Sequence, residues 1–242
     1  MTDPRRRDDA HHRAPDQSRT GSAERPMPRA TRPTRRAYLA GAATAAVGVA
    51  AGLAGCLGGG GSGGSTGTTV DSLPPPVQGD PNADVVVKVF EDFSCPHCRE
   101  YELTVLPQLE SAYVKPGTIR YEHHDFPIPV DKRWSWVVAS AARGVQDHVG
   151  DAAFFEYSHS LFAHQTEYSL DLIASLAADV GADGKVIRRD AKDQTYRPVV
   201  EADRKQGVAM GLQGTPQVYV NGTMLSSHGY DAVSKAIDQA QP

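Results

Sequence analysis

The sequence predicts an α/β fold whose elements run βαβ, then a helical block, then ββα. Three observations predict it. Residues 84–93, DVVVKVFEDF, form a β-branched and nearly continuous apolar run, as a strand buried on both faces does. From 131 to 211 apolar side chains recur at helical spacing. Beyond that block, Val218 and Val220 share one strand face and lead into Asn221-Gly222, the strongest short hairpin signal.

The first strand leads straight into Ser94-Cys95-Pro96. Proline suits the first turn of a helix, where its missing N–H has no partner to lose. Tyr101, Val105, Leu109 and Ala112 continue at helical spacing, so Cys95 falls at a helix N-terminus. The stretch GTIRYEHHDFP (117–127) alternates as a second strand and stops at Pro127. With the helix between them, the two strands read as a right-handed βαβ unit. His123-His124-Asp125 reads as a solvated strand end.

The helical block opens with DKRWSWVVASAARGVQ, with Asp131 as its cap. In DAAFFEYSHSLFAHQ, Phe154 and Leu161 lie seven apart, as do Phe155 and Phe162. SLDLIASLAADVG starts at a capping Ser169, places Leu172, Ile173, Leu176 and Val180 on one face, and ends at Gly181. TYRPVVEADRKQGVAMG has Pro198 near its start and Gly211 at its end. Trp134 and Trp136 are candidates for a groove wall or for helix packing. The closing helix, 230–240, is amphipathic through Ala232, Val233, Ala236 and Ile237.

The N-terminal third has a different character. Residues 1–36 carry ten Arg and almost no large apolar side chain, so they cannot bury enough surface to offset ordering entropy. Arg35 and Arg36 precede an uncharged run, 37–55, with nine Ala and four Gly. Basic region, weakly apolar region and small-residue end give the layout of a secretion signal rather than a permanent span. Residues 58–69 contain only Gly, Ser and Thr and read as a flexible tether with a mean reach of roughly 20 Å. The net charge of −4 divides into +5 for residues 1–55 and −9 for 56–242. The downstream part has no Lys/Arg run suited to nucleic acid.

The division expected is therefore 1–55 as a leader with its signal, 56–83 as a linker, 84–130 with 208–242 as the α/β domain, and 131–207 as a helical insertion. Three cysteines, Cys56, Cys95 and Cys98, leave none for a structural bridge between distant segments.

Cys95-Pro96-His97-Cys98 carries the chemistry. A zinc half-site needs two more ligands, typically a second CxxC, and none is present. A structural disulfide across two residues closes almost no loop. A copper-type site of two thiolates and His97 has nothing further behind it. A redox pair at a strand-to-helix junction has a mechanism. Free N–H groups and the positive end of the helix dipole favour a Cys95 thiolate, which becomes the nucleophile. Cys98, one turn in, becomes the resolving thiol, and His97 can stabilise the thiolate further.

The chain resembles DsbA-like thiol:disulfide oxidoreductases of the thioredoxin superfamily. CPHC matches their active-site sequence, and GLQGTPQVYVNG (211–222) matches their second signature. FEDFSCPHC, HHDFP and LFAHQ resemble single-domain exported members, and the likeness covers 84–240. The resemblance implies a thioredoxin fold with an inserted helical domain. It also implies that Pro216 is cis and lies against Cys95, and that the Thr215 backbone pairs with an extended substrate segment. Many relatives carry an acid six residues before the first cysteine; here that residue is Val89. Arg35-Arg36 with Tyr38 and Leu39 resembles a twin-arginine signal. Leu53-Ala54-Gly55-Cys56 resembles a lipobox, which implies lipidation of Cys56. Buried acyl chains add about 0.8 kcal/mol per methylene, so two chains hold firmly.

These readings lead to an exported enzyme, anchored on the outer face of the cytoplasmic membrane, that oxidises dithiols of exported proteins. It acts as a monomer without cofactor or metal and is recharged by a membrane re-oxidase. A strong oxidant needs about 7 kcal/mol of thiolate stabilisation. A helix terminus supplies at most about 2 kcal/mol. Pro96 and His97 therefore set the direction. The rival readings are a reductase or isomerase on the same fold, and a non-enzymatic lipoprotein that binds peptides or metal.

Overall fold

The computed structural model describes residues 69–128 and 130–242. The leader, its twin arginines, Cys56 and the tether up to residue 68 lie outside the described residues. Among the described residues no helix is long and apolar enough to cross a membrane.

A five-stranded mixed sheet has the order β1-β3-β2-β4-β5. Its centre is β2 (Val85–Glu91), parallel to β3 (Ile119–Asp125) and antiparallel to β4 (Gln217–Val220). The hairpin expected at Asn221-Gly222 joins β4 to β5 (Thr223–Met224). Both turn residues have positive φ, 45° and 79°, as a primed turn requires. Helix α1 (Pro96–Glu100) begins directly after Cys95 and continues through a π-helical turn (Tyr101–Val105), α2 (Leu106–Leu109) and a second π-turn (Glu110–Val114). Between β3 and β4 lie α3 (Trp134–His148), α4 (Asp151–Ala163), α5 (Leu170–Asp179), α6 (Gly184–Asp193) and α7 (Arg197–Ala209). Helix α8 (Tyr230–Ala240) closes the chain. This is the α/β thioredoxin fold with a helical insertion.

Four local readings need correction. The linker expected to reach residue 83 stops earlier. Residues 77–79 form β1 (Val77–Gly79), antiparallel to β3 at the sheet edge. Gly79 has φ +87°, and a Cβ there would meet the Ile119 carbonyl oxygen at 2.2 Å, so only glycine fits. Three prolines, Pro74 to Pro76, hid the strand, yet proline is tolerated on approach to an edge.

Ala112, expected on the buried face of the first helix, is exposed, while Leu106, Leu109 and Val114 are buried. The π-turns shift the register. Pro107 has no N–H to donate to the residue four back, and the Leu106 N–H reaches the Tyr101 carbonyl five residues back. Helix α6 was not singled out within the block. Asp183 caps it by accepting N–H from Lys185 and Val186.

The fourth correction concerns His123-His124-Asp125. All three are buried at 2% exposure or less rather than solvated. They belong to an ionic cluster around Arg143 of α3, itself fully buried. Arg143 donates to Asp125 at 2.6 Å, to Asp203 of α7, to Gln146 at 3.0 Å and to the Pro74 carbonyl at 3.4 Å. One guanidinium thus joins the sheet, two insertion helices and the incoming segment. A planar group with five donors suits such a junction. Removing one partner of a buried pair leaves an uncompensated charge. Arg143→Ala should lower the unfolding free energy in chemical denaturation by about 3–5 kcal/mol. A loss under about 1 kcal/mol, as at an exposed pair, would refute the junction role.

Candidate active site

Cys95 is the N-cap of α1, with extended backbone (φ −82°, ψ 121°) and Pro96 in the first turn. Both thiols are free. Cys95 is 3% exposed, whereas Cys98 is fully buried. The Cys95 S–H donates to the Thr215 carbonyl at 3.4 Å, across 120 residues of sequence. The Thr215–Pro216 bond is cis, which brings that carbonyl from the start of β4 to the mouth of the helix. The Thr215 hydroxyl is buried with no partner of its own.

These surroundings lower the Cys95 pKa to about 5. The hydrogen bond from the Cys98 thiol contributes most. Burial opposes it, and the N–H groups of Cys98 and His97 add to it. The sequence reading credited the His97 side chain. Here that side chain is exposed, and His97 acts on the sulfur through its backbone N–H. Cys98 is pushed well above the ordinary thiol range by burial, by its hydrogen bond to Cys95 and by the charge of Glu91. One thiol is therefore poised as a nucleophile and leaving group, and the other stays protonated.

Behind the cysteines, Val89 is fully buried in β2 and can move no proton. Glu91 can. Alternate residues of a strand share a face, so Glu91 projects on the same side as Val89, one step nearer the cysteines. The sequence placed Glu91 and Asp92 closer to the cysteines than Val89 without choosing between them. Glu91 is buried and lies 3.3 Å from Nδ1 of His123. Burial raises its pKa, against the opposing pull of His123. Burial would lower the His123 pKa, but the carboxylates of Asp125 and Glu91 hold it up at about 9. His124 points the other way, to Glu122 at 3.2 Å, and stacks on Phe90. Among the described residues no three His, Cys, Asp or Glu side chains group as a metal ion would need.

Asp92, the other acid next to the cysteines, is held by its neighbours. Its Oδ1 accepts the Ser94 N–H at 2.8 Å, and its Oδ2 accepts the Ile128 N–H at 2.8 Å and the Ser135 hydroxyl at 2.9 Å. Burial pushes its pKa up to about 6, against these hydrogen bonds. Its carbonyl takes the Cys95 N–H at 2.9 Å, and its own N–H faces the Cys98 sulfur at 3.5 Å. Trp134 packs against Tyr168, with ring centroids 6.0 Å apart, near this loop. Trp136 lies under the Arg197 guanidinium at 3.7 Å.

A thiolate-favouring cysteine at a helix N-cap, a buried partner one turn behind and a facing cis-proline loop on this fold define a DsbA-like thiol:disulfide oxidoreductase. The family model described as thioredoxin matches residues 71–239, and the chain belongs to that family. It is 29% identical over 165 residues to a probable disulfide bond formation protein D of Bacillus cereus, covering 66% of this chain and 76% of that protein. It is 22% identical to disulfide bond formation protein D of Bacillus subtilis, covering 68% and 76%. Crystal structures with the same fold include oxidised BdbD from Bacillus subtilis, with TM-score 0.64 at 23% identity over 72% of this chain and 98% of that one. Another is Chlamydia trachomatis DsbA, with TM-score 0.63 at 21% identity over 74% and 95%.

The thiolate absorbance of the reduced protein should titrate with a midpoint near pH 5. A depressed folded-state pKa stabilises the fold increasingly as pH rises from that value towards the unfolded one. The reduced protein should therefore gain stability over the oxidised protein from pH 5 upward and lose that advantage as pH falls to 5. Parallel denaturation of the two forms checks the sign.

Proposed function

We propose that this enzyme mainly oxidises dithiols of exported proteins to disulfides through Cys95 and Cys98. The observation that carries the reading is the contrast between the two thiols, Cys95 lowered to about 5 and Cys98 raised by burial. A stabilised thiolate favours the reduced enzyme, so the disulfide form is the better oxidant. Relatives named for disulfide bond formation support it.

A substrate thiolate attacks Cys95 Sγ of the Cys95–Cys98 disulfide. The S–S bond breaks, a mixed disulfide forms, and Cys98 leaves and takes up a proton through Glu91. A second substrate thiolate then attacks its own sulfur in the mixed disulfide and releases Cys95 as thiolate. Two electrons have moved from substrate to enzyme, and a membrane re-oxidase removes them. The Thr215 backbone, set by Pro216, holds the extended client segment beside Cys95. Pro96 and His97 contribute the fixed helix start and an N–H directed at the sulfur. The protein works as a monomer, exported through the signal ending at Gly55 and anchored by lipidated Cys56.

Equilibration with glutathione decides direction. An oxidase should give a potential well above the value of about −270 mV for thioredoxin, towards about −120 mV for DsbA. A result near the thioredoxin value removes the oxidase reading. The anchor has a separate check. Cys56→Ser should move the protein from the membrane to the soluble fraction; unchanged membrane association would refute lipidation there.

A further inference from the structure

The loop that carries Cys95 is fastened by side chains from the helical insertion. Gln165, just past α4, donates through Nε2 to the carbonyls of both Phe93 and Cys95, at 2.9 Å each. The Tyr168 hydroxyl donates to the same Phe93 carbonyl at 2.9 Å. From the loop side, Asp92 takes the hydroxyl of Ser135 on α3. Arg99, one residue after Cys98, donates to the Phe162 carbonyl of α4 at 3.1 Å. The seam fastens the Cys95 loop to α4 and to the chain just after it. Without it, the Phe93 carbonyl would keep no partner among these side chains, and the Cys95 carbonyl would keep only its helical bond from the Arg99 N–H.

We propose that Gln165 and Tyr168 are positioning residues for the oxidation reaction. They set the spacing between the Cys95 loop and the insertion, and so the seat of an extended peptide held on Cys95. Two features of the geometry carry this. Both side chains are donors aimed at backbone carbonyls, so they fix the chain path whatever side chains the loop bears. Gln165 grips the residues on either side of Ser94, which pins the step into the helix at two points. Neither side chain touches the sulfur, so a small thiol should not sense them. A peptide that must lie between Thr215 and the insertion should.

The proposal rests on the reading of this site as an oxidant of peptide dithiols, and the test separates the two. The oxidised full chain is assayed with a peptide dithiol and, in parallel, with glutathione. The double variant Gln165→Ala/Tyr168→Phe should raise KM for the peptide by roughly five- to tenfold, the loss expected from two or three neutral hydrogen bonds whose effects overlap. The glutathione rate and the Cys95 titration midpoint should stay near wild type. Equal losses with peptide and glutathione, or an unchanged peptide KM, would overturn the positioning role. Gln165→Glu keeps the size but replaces the donor with an acceptor facing two carbonyls, so it should be at least as damaging as Ala; wild-type KM in that variant also overturns the proposal. Should the double variant fold poorly, Tyr168→Phe alone removes one hydroxyl while keeping the ring on Trp134, and should still raise KM by about fivefold. A wild-type protein that oxidises glutathione but never the peptide would sink the functional reading and the proposal with it.

Discussion

Everything at this site depends on keeping one sulfur negative at the end of a helix. The Cys95 sulfur receives the Cys98 S–H and the N–H groups of Cys98 and His97. None of these contacts is strong alone in water. Together, at a buried helix start where competing solvent is scarce, they move the thiol from its usual range to about 5. The arrangement is also asymmetric. The thiol that stabilises Cys95 is itself held protonated by burial, so the pair has one charged and one neutral member. That asymmetry suits the proposed roles, one cysteine as the point of attack and the other as the resolving group.

Holding the arrangement still requires a rigid surround, and much of it is polar. The Arg143 cluster joins β3, α3, α7 and the segment before β1 through a fully buried guanidinium. Burying such a charge is costly unless its donors are used, and most of them are used here. The cluster continues through Asp125 to His123 and Glu91, 3.5 Å and 3.3 Å apart along the chain of partners. The ions that tie the insertion to the sheet therefore end at Glu91, whose charge acts on Cys98. The junction and the buried acid Glu91 share the same strand ends, because β2 and β3 are parallel.

Much of this was legible without coordinates. Proline after cysteine marked the helix start, the apolar run marked a central strand, and Asn221-Gly222 marked the hairpin. The failures have physical causes. β1 is three residues long, follows prolines and has no period to read. Ala112 fell off the buried face because π-turns around Pro107 change the helical repeat locally. The polar triplet His123-His124-Asp125 looked solvated because its partners come from other elements: Arg143 is 18 residues from Asp125, and Asp203 is 78. The sequence named Glu91 and Asp92 as the nearby acids, and strand alternation separates them by putting Glu91 on the face of Val89.

The sequence by itself determined the local chemistry: which cysteine caps the helix, which sits one turn in, and which dipeptide lies between. Those are consequences of spacing along one chain segment, where 3.6 residues per turn leave little choice. Only the tertiary structure decided what surrounds the sulfur. The carbonyl facing Cys95 comes from Thr215, and the donors gripping its loop come from Gln165 and Tyr168, 70 or more residues away. No periodicity encodes such meetings. They follow from how the insertion packs on the sheet, which depends on the summed burial and the buried charges of the whole domain.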